Sequence, residues 1–168
     1  GFPLDDVWHR IFGQDVTLWG PTHLMLIGGA AMALVGLAVL LVEAGAADAA
    51  GRRGELPWAR LMRRISLQGA LLLGLSTFQA EFDFGVPQFR MVWQPLLLAT
   101  AAGLALVAAR VRIGRGGALA AALFFIALRG VIALLVGPVI GQTTPHLPLY
   151  LVEAAIVELV ALRYDGRR

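Results

Sequence analysis

Pro21-Thr22-His23-Leu24-Met25-Leu26-Ile27-Gly28-Gly29-Ala30-Ala31-Met32-Ala33-Leu34-Val35-Gly36-Leu37-Ala38-Val39-Leu40-Leu41-Val42 carries a single ionisable side chain, His23, and it lies near one end. A helix needs about 20 consecutive, mostly apolar residues to cross a bilayer. This run is long enough, and Pro21 suits a first helical turn, where its missing N–H goes unused. Four further apolar runs follow, at about residues 61–80, 93–111, 118–140 and 147–162. The last is short and holds two glutamates. It reads as a span because Pro145-His146-Leu147-Pro148 opens it and Arg163-Tyr164 anchors its end. The expected fold is all-α: one bundle of five transmembrane helices over residues 1–168, with residues 1–20 as an outer interfacial segment.

Composition agrees with the runs. The chain is 58% hydrophobic with a mean hydropathy of +0.75, against about 45–50% apolar in soluble domains. Cysteine is absent, which removes disulfides, thiolate ligands and thiol catalysis. Lysine is absent too, so all fourteen basic residues are arginine. They flank apolar runs and no aromatic platform interleaves with them, which argues against nucleic acid as a partner. The start, Gly1-Phe2-Pro3-Leu4-Asp5-Asp6, has no Met and no basic stretch before an apolar core. It does not read as a signal peptide, and the chain reads as a processed or trimmed product.

Arginine placement sets the expected orientation. Eleven fall on one side of the five runs: Arg52, Arg53, Arg60, Arg63 and Arg64; Arg110, Arg112 and Arg115; Arg163, Arg167 and Arg168. Arg10 and Arg90 fall on the other, and Arg129 lies inside the fourth run. The positive-inside rule then puts the N-terminus outside and the C-terminus in the cytoplasm of a bacterial inner membrane. Five spans require the termini on opposite sides, so count and charge agree.

All three histidines, His9, His23 and His146, fall on the outer side, with Asp5, Asp6, Asp15, Glu81 and Asp83. Asp5-Asp6-Val7-Trp8-His9-Arg10-Ile11-Phe12-Gly13 reads as a short interfacial helix. Asp5 and His9 are four apart and share a face, and Gly13 suits the helix end. The loop from Gln14 to Gly20 is short enough to fold His9 back over His23. Imidazole and carboxylate are the ligands that zinc, copper, iron and manganese use. The candidate metal ligands are therefore Asp5, His9, His23, Glu81, Asp83 and His146. The same histidines would also serve as interfacial hydrogen-bonding groups or as a protonation gate.

Arg129 lies about eleven residues from either end of its run, and an unpaired charge there is costly. Counted at 1.5 Å per residue, Arg129 falls between Glu153 and Glu158 in depth. A bridge to either glutamate is expected, with Gln68, Ser66, Ser76 and Thr77 extending the network. Its role would be either to fix helix register or to line a proton or ligand path. Small residues, among them Gly28, Gly29, Ala30, Ala31, Gly69 and Gly74, would let helix backbones approach closely.

The Asp5-x-x-x-His9 spacing, followed by His23, resembles the copper-binding C subunit of membrane-bound methane and ammonia monooxygenases. That family carries Asp-x-x-x-His and a second His about thirteen residues later, near the outer membrane surface. Here His23 comes one residue late, the family has more spans, and it acts with two other subunits. The resemblance implies copper on Asp5, His9 and His23, and redox or monooxygenase-like chemistry. The wider pattern, Asp5-x-x-Trp8-His9, Phe12-Gly13-x-Asp15 and Trp19-x-Pro21-x-His23, is similar to uncharacterised bacterial multi-spanning proteins. Two other functions fit the residues: a non-catalytic subunit, packed on other membrane subunits or on copies of itself, and a transporter or channel built around Arg129, Glu153 and Glu158.

Overall fold

A computed structural model describes residues 2–13, 17–47, 56–88 and 90–165. Arg52, Arg53, Arg167 and Arg168, whose charges enter the orientation argument, lie outside the described residues, as do Gly1 and the outer carboxylate Asp15. The described residues are helical with no strand. The long helices are α1 (Phe2–Phe12), α2 (Pro21–Ala47), α3 (Pro57–Ser76), α5 (Trp93–Ile113), α6 (Gly117–Leu134) and α7 (Leu151–Asp165). A four-residue helix, α4 (Ala80–Asp83), follows α3 through a single 3-10 turn.

Among the described residues, three helical stretches are long and apolar enough to cross a membrane: Pro21–Glu43, Trp93–Ile113 and Gly117–Val139. The other two expected spans are helical but do not meet that standard. Helix α3 carries Arg60, Arg63 and Arg64 in its first eight residues. Helix α7 has 15 residues and includes Glu153, Glu158 and Arg163.

The core lies among α3, α5, α6 and α7, and its chemistry is alanine. Ala101, Ala102, Ala105 and Ala109 of α5 are buried together with Ala118, Ala121 and Ala122 of α6. Such small side chains let two backbones come close, and van der Waals packing then replaces the hydrophobic drive that lipid cannot supply. Leu72, Leu106 and Phe125 fill the space between, and Phe125 meets Tyr150 edge-on at 5.2 Å between centroids. Gly69 is buried, and a methyl group added there would run into the Phe124 ring. Gly28 and Gly29 do otherwise: nothing lies within 4 Å of a Cβ built on either. Helix α2 instead meets α3 through Ala31, which lies beside Gly74. Much of its apolar surface faces outward, with Met32 66% and Leu40 61% exposed.

Two chain reversals decide where the charged side chains meet. Helices α5 and α6 are joined by Gly114 and Gly116, both at positive φ (103° and 79°). A side chain is strained there and glycine is not. After α6 the helix widens into a π turn, Leu135–Val139, around Pro138, which has no N–H to give. Residues 143–150 are not helical, and Tyr150 takes a φ of 56° immediately before α7 begins.

Candidate metal centre

Helix α1 ends at Gly13 (φ 87°), whose N–H donates to the His9 carbonyl at 3.0 Å. It lies against the first turn of α2. This contact brings Asp5 and His9, one turn apart on α1, up to His23 on α2. The Thr22 hydroxyl donates to Asp5 Oδ1 at 2.5 Å. His9 Nε2 is 3.5 Å from Asp5 Oδ2, and His23 Nε2 is 3.4 Å from Asp5 Oδ1. The two imidazole centroids are 5.7 Å apart. One ligand atom from each of Asp5, His9 and His23 lies within 4.8 Å of the others, a cluster that could hold a metal ion.

The remaining ring nitrogens fix the tautomers. His9 Nδ1 donates to the Gly13 carbonyl at 3.1 Å, and His23 Nδ1 donates to the Thr17 carbonyl at 3.2 Å. A carbonyl oxygen only accepts, so each Nδ1 carries a proton. A neutral ring then presents its Nε2 lone pair to the carboxylate. Both Nε2 atoms face the Asp5 carboxylate, an arrangement that a proton on a ring or a metal ion shared by the three residues would satisfy. A metal-bound histidine ordinarily ties its second N–H to a carbonyl or carboxylate in this way.

The 3.4 and 3.5 Å spacings exceed the usual 2.7–2.9 Å of a charge-assisted N–H···O bond. Ligands held about 2.0–2.1 Å from a tetrahedral ion stand roughly 3.3 Å from each other. The 3.4 and 3.5 Å spacings accommodate either case, and the three residues form a group that could hold a metal ion. Two imidazoles and one carboxylate also leave coordination positions open. Asp5 is held anionic: the Thr22 hydroxyl first, then the charges of His23 and His9, keep its pKa below the ordinary 3.8.

The other sequence candidates do different work. Glu81 is buried, and both its oxygens hold loops. Oε1 accepts from the Thr17 hydroxyl at 2.5 Å and from Leu18 N–H at 2.6 Å, and Oε2 accepts from Gln88 N–H at 3.0 Å. It therefore fixes Thr17, whose carbonyl orients His23. Asp83 is also buried. It accepts from Gln79 Nε2 at 2.7 Å and pairs with Arg129 Nη2 at 2.5 Å. Burial raises the Asp83 carboxyl, and Gln79 and Arg129 oppose that rise. The ring of His146 is outside the three-residue cluster; the residue is exposed, and its backbone N–H donates to the Asp83 carbonyl at 2.8 Å.

The expected bridge from Arg129 to Glu153 or Glu158 is replaced by the pair with Asp83. The reason is the start of α7. Depth counted from His146 assumes helix throughout, but residues 147–150 are not helical. Extended chain advances about 3.3 Å per residue instead of 1.5 Å, which carries Glu158 to the far end. There Glu158 accepts from Gly116 N–H at 3.0 Å and Ala118 N–H at 2.9 Å, and lies 3.1 Å from Arg110 Nε. It caps the N-terminus of α6, where free N–H groups and the helix dipole favour an anion. Gln68 is buried near that same end rather than beside Arg129. Ser76 donates to the Tyr150 hydroxyl at 2.8 Å.

Thr22 and Thr17 are site residues that reasoning from sequence does not single out. Thr22 directly precedes His23, and an N-terminal helical turn is where a hydroxyl commonly meets a carboxylate. Thr17 meets His23 through its carbonyl and Glu81 through its hydroxyl, and neither contact is signalled by spacing along the chain. No protein-family model, curated protein or solved structure gives a significant match to the chain.

Proposed function

We propose that this chain is a polytopic membrane protein whose Asp5, His9 and His23 bind one copper ion at the extracytoplasmic mouth of a five-span bundle. The observation that carries the reading is the pair of fixed tautomers: both Nδ1–H groups are tied to carbonyls, and both Nε2 atoms face one carboxylate. A nitrogen-rich set without thiolate suits copper, zinc or iron, and the affinity order among divalent ions favours copper. The spacing shared with the monooxygenase C subunit supports the same metal. When bound, copper would supply a Lewis-acidic, redox-active centre with open positions. The chain's own part is to hold two imidazoles in one tautomer, keep Asp5 ionised through Thr22, and brace Thr17 with Glu81. The arginine distribution supports an outside N-terminus.

The deciding experiment is metal content by mass spectrometry on purified protein, beside a His9→Ala/His23→Ala variant. Near-stoichiometric copper that disappears in the variant is expected. No metal in the wild type after reloading at neutral pH overturns the reading, and zinc or iron in place of copper overturns the choice of metal.

A second reading, that the chain is a subunit of a larger membrane assembly, draws on α2. Gly29, Ala33 and Gly36 are exposed on it, and nothing lies within 4 Å of a Cβ built on either glycine. Small residues at such spacing suit close packing with another membrane helix. Cross-linking through Cys introduced at Ala33 in intact membranes tests it; monomer alone argues against self-association. The transporter reading drew on a bridge from Arg129 to Glu153 or Glu158; Arg129 pairs with Asp83 instead, and Glu158 caps α6.

A further inference from the structure

Helix α1 presents three different faces. At 3.6 residues per turn each residue is rotated about 100° from the last. Asp5 then falls with His9, Asp6 with Arg10, and Leu4 with Val7 and Ile11, the three groups roughly a third of a turn apart. The Asp5–His9 face turns to Thr22 and His23 of α2. Asp6 and Arg10 pair at 2.9 Å and are both exposed, so they belong to water. Leu4, Val7 and Ile11 are 52%, 49% and 65% exposed, and Phe12 is exposed beside them. An apolar stripe on one side of a helix and charge on another is the pattern of a helix that lies in a membrane interface.

The level at which α1 sits selects the partner. It rests on Thr22 and His23, in the first turn of Pro21–Glu43, a stretch long and apolar enough to cross a membrane. Met25, about one turn further along, is exposed, so α1 covers the end of α2 rather than its length. Trp19, just before this stretch, and Trp93, which opens Trp93–Ile113, are both exposed and border one cavity. Tryptophan at the head of apolar runs marks the membrane–water boundary. The stripe is also too small for a protein partner. Eleven residues make a helix about 16 Å long and, with side chains, about 10 Å across. A stable protein interface takes about 800 Å² from each partner. A bilayer sets no such minimum, because the apolar helices already hold the chain in it.

We propose that the outer leaflet of the bilayer is the partner of the Leu4, Val7 and Ile11 face, and that this seat aims Asp5 and His9 at His23. Lipid on one face and water on another fix the depth of α1 and its rotation about its own axis. The Asp5–His9 face, roughly a third of a turn from both, then points sideways into α2. Ligands held in place beforehand lose less freedom on binding, which raises affinity. The aiming role rests on the metal reading above; the lipid seat does not.

The chain has no cysteine, so single-cysteine variants of the full chain each carry one spin label. In phosphatidylcholine nanodiscs without metal, a label at Ile11→Cys should be relaxed strongly by oxygen and weakly by chromium oxalate, a water-soluble complex. A label at Asp6→Cys should show the reverse. Equal exposure of both labels to chromium oxalate overturns the lipid seat. An Ile11→Cys label shielded from both agents overturns it in favour of a protein partner, and spin–spin broadening overturns it in favour of a second copy. Copper affinity, read by chelator competition in the same nanodiscs, tests the aiming. Val7→Ser/Ile11→Ser should lose roughly tenfold. Serine has a helix propensity close to that of valine and isoleucine, so α1 should stay helical in this variant. Val7→Met/Ile11→Met, which keeps the stripe apolar, and Asp6→Asn/Arg10→Gln, on the water face, should keep wild-type affinity. Wild-type affinity in the serine variant overturns the aiming role, and so does an equal loss in the methionine variant. If the wild-type chain binds no copper, the metal reading falls and the aiming role with it, while the labels still decide the seat.

Discussion

Glu81 Oε1 accepts a 2.5 Å hydrogen bond from the hydroxyl of Thr17, sixty-four residues earlier in the chain. The same oxygen takes Leu18 N–H, and the Thr17 carbonyl in turn accepts from His23 Nδ1 at 3.2 Å. A buried carboxylate therefore sets the ring orientation of a histidine it never touches. Outer partners of this kind usually change metal affinity by about 10–100-fold when removed. Glu81→Gln keeps the shape but weakens the hold on Thr17 and Leu18. It should lower copper affinity within that range in a chelator-competition titration, while His23→Ala abolishes binding. Wild-type affinity in Glu81→Gln would remove Glu81 from the site's support.

Asp5 titrates below the ordinary carboxylate range because the Thr22 hydroxyl, and then His23 and His9, favour its charged form. A carboxyl whose folded pKa lies under its unfolded value of 3.8 contributes stability that is whole above 3.8 and lost as pH falls through the depressed value. Metal-free protein should thus keep α1 docked on α2 down to below pH 3.8 and release it in stronger acid. Thr22→Val removes the largest cause and should move the release toward pH 3.8. Tryptophan fluorescence from Trp8, next to Phe12 on α1, follows the step. An acid transition at the same pH in both proteins would show that Asp5 does not control it.

The Arg129–Asp83 pair is 2.5 Å long, with side chains 15% and 4% exposed. Removing one partner leaves the other charge buried, which typically costs about 3–5 kcal/mol. Replacing both with apolar side chains of similar size is often neutral or stabilising. Arg129→Met and Asp83→Leu should each lower the thermal midpoint in detergent, and the double variant should recover most of the loss. Copper binding should survive in the double variant, since neither residue touches Asp5, His9 or His23. Additive losses in the double variant would point to separate roles for the two charges.

The helical class, the first helix with its glycine end, and the one-turn pairing of Asp5 with His9 are all legible in the sequence. These are local patterns: apolar run length, the four-residue spacing, the glycine stop. The approach of His9 to His23 is legible too, because a short loop leaves few alternatives. What stays hidden depends on backbone away from helix. The stretch from 143 to 150 ends at Tyr150 with positive φ, and no residue there announces that. Counting α7 from Leu147 rather than Leu151 misplaces Glu158 and supplies Arg129 with the wrong partner. Glu81 is legible as an outer carboxylate, but its bond to Thr17 joins distant parts of the chain, which spacing cannot reveal.

Two glycines that look alike in sequence should respond in opposite ways to alanine. Gly117 is buried at the first turn of α6, and a Cβ there would lie 2.6 Å from the Ala109 carbonyl oxygen and 2.8 Å from Ile113 Cβ. The oxygen belongs to the backbone of α5, so the α5–α6 turn must open to admit a methyl group. Forced overpacking of this kind costs about 1–3 kcal/mol. It would also disturb the adjacent N–H groups of Gly116 and Ala118 that Glu158 caps. Gly29, in mid-helix on α2, has nothing within 4 Å of the same atom, and alanine is favoured over glycine in a helix by up to about 1 kcal/mol. Gly117→Ala should therefore lower the thermal midpoint, and Gly29→Ala should hold or raise it. A fall in Gly29→Ala, measured on protein kept in native membranes, would mean that a neighbouring helix occupies the exposed face of α2.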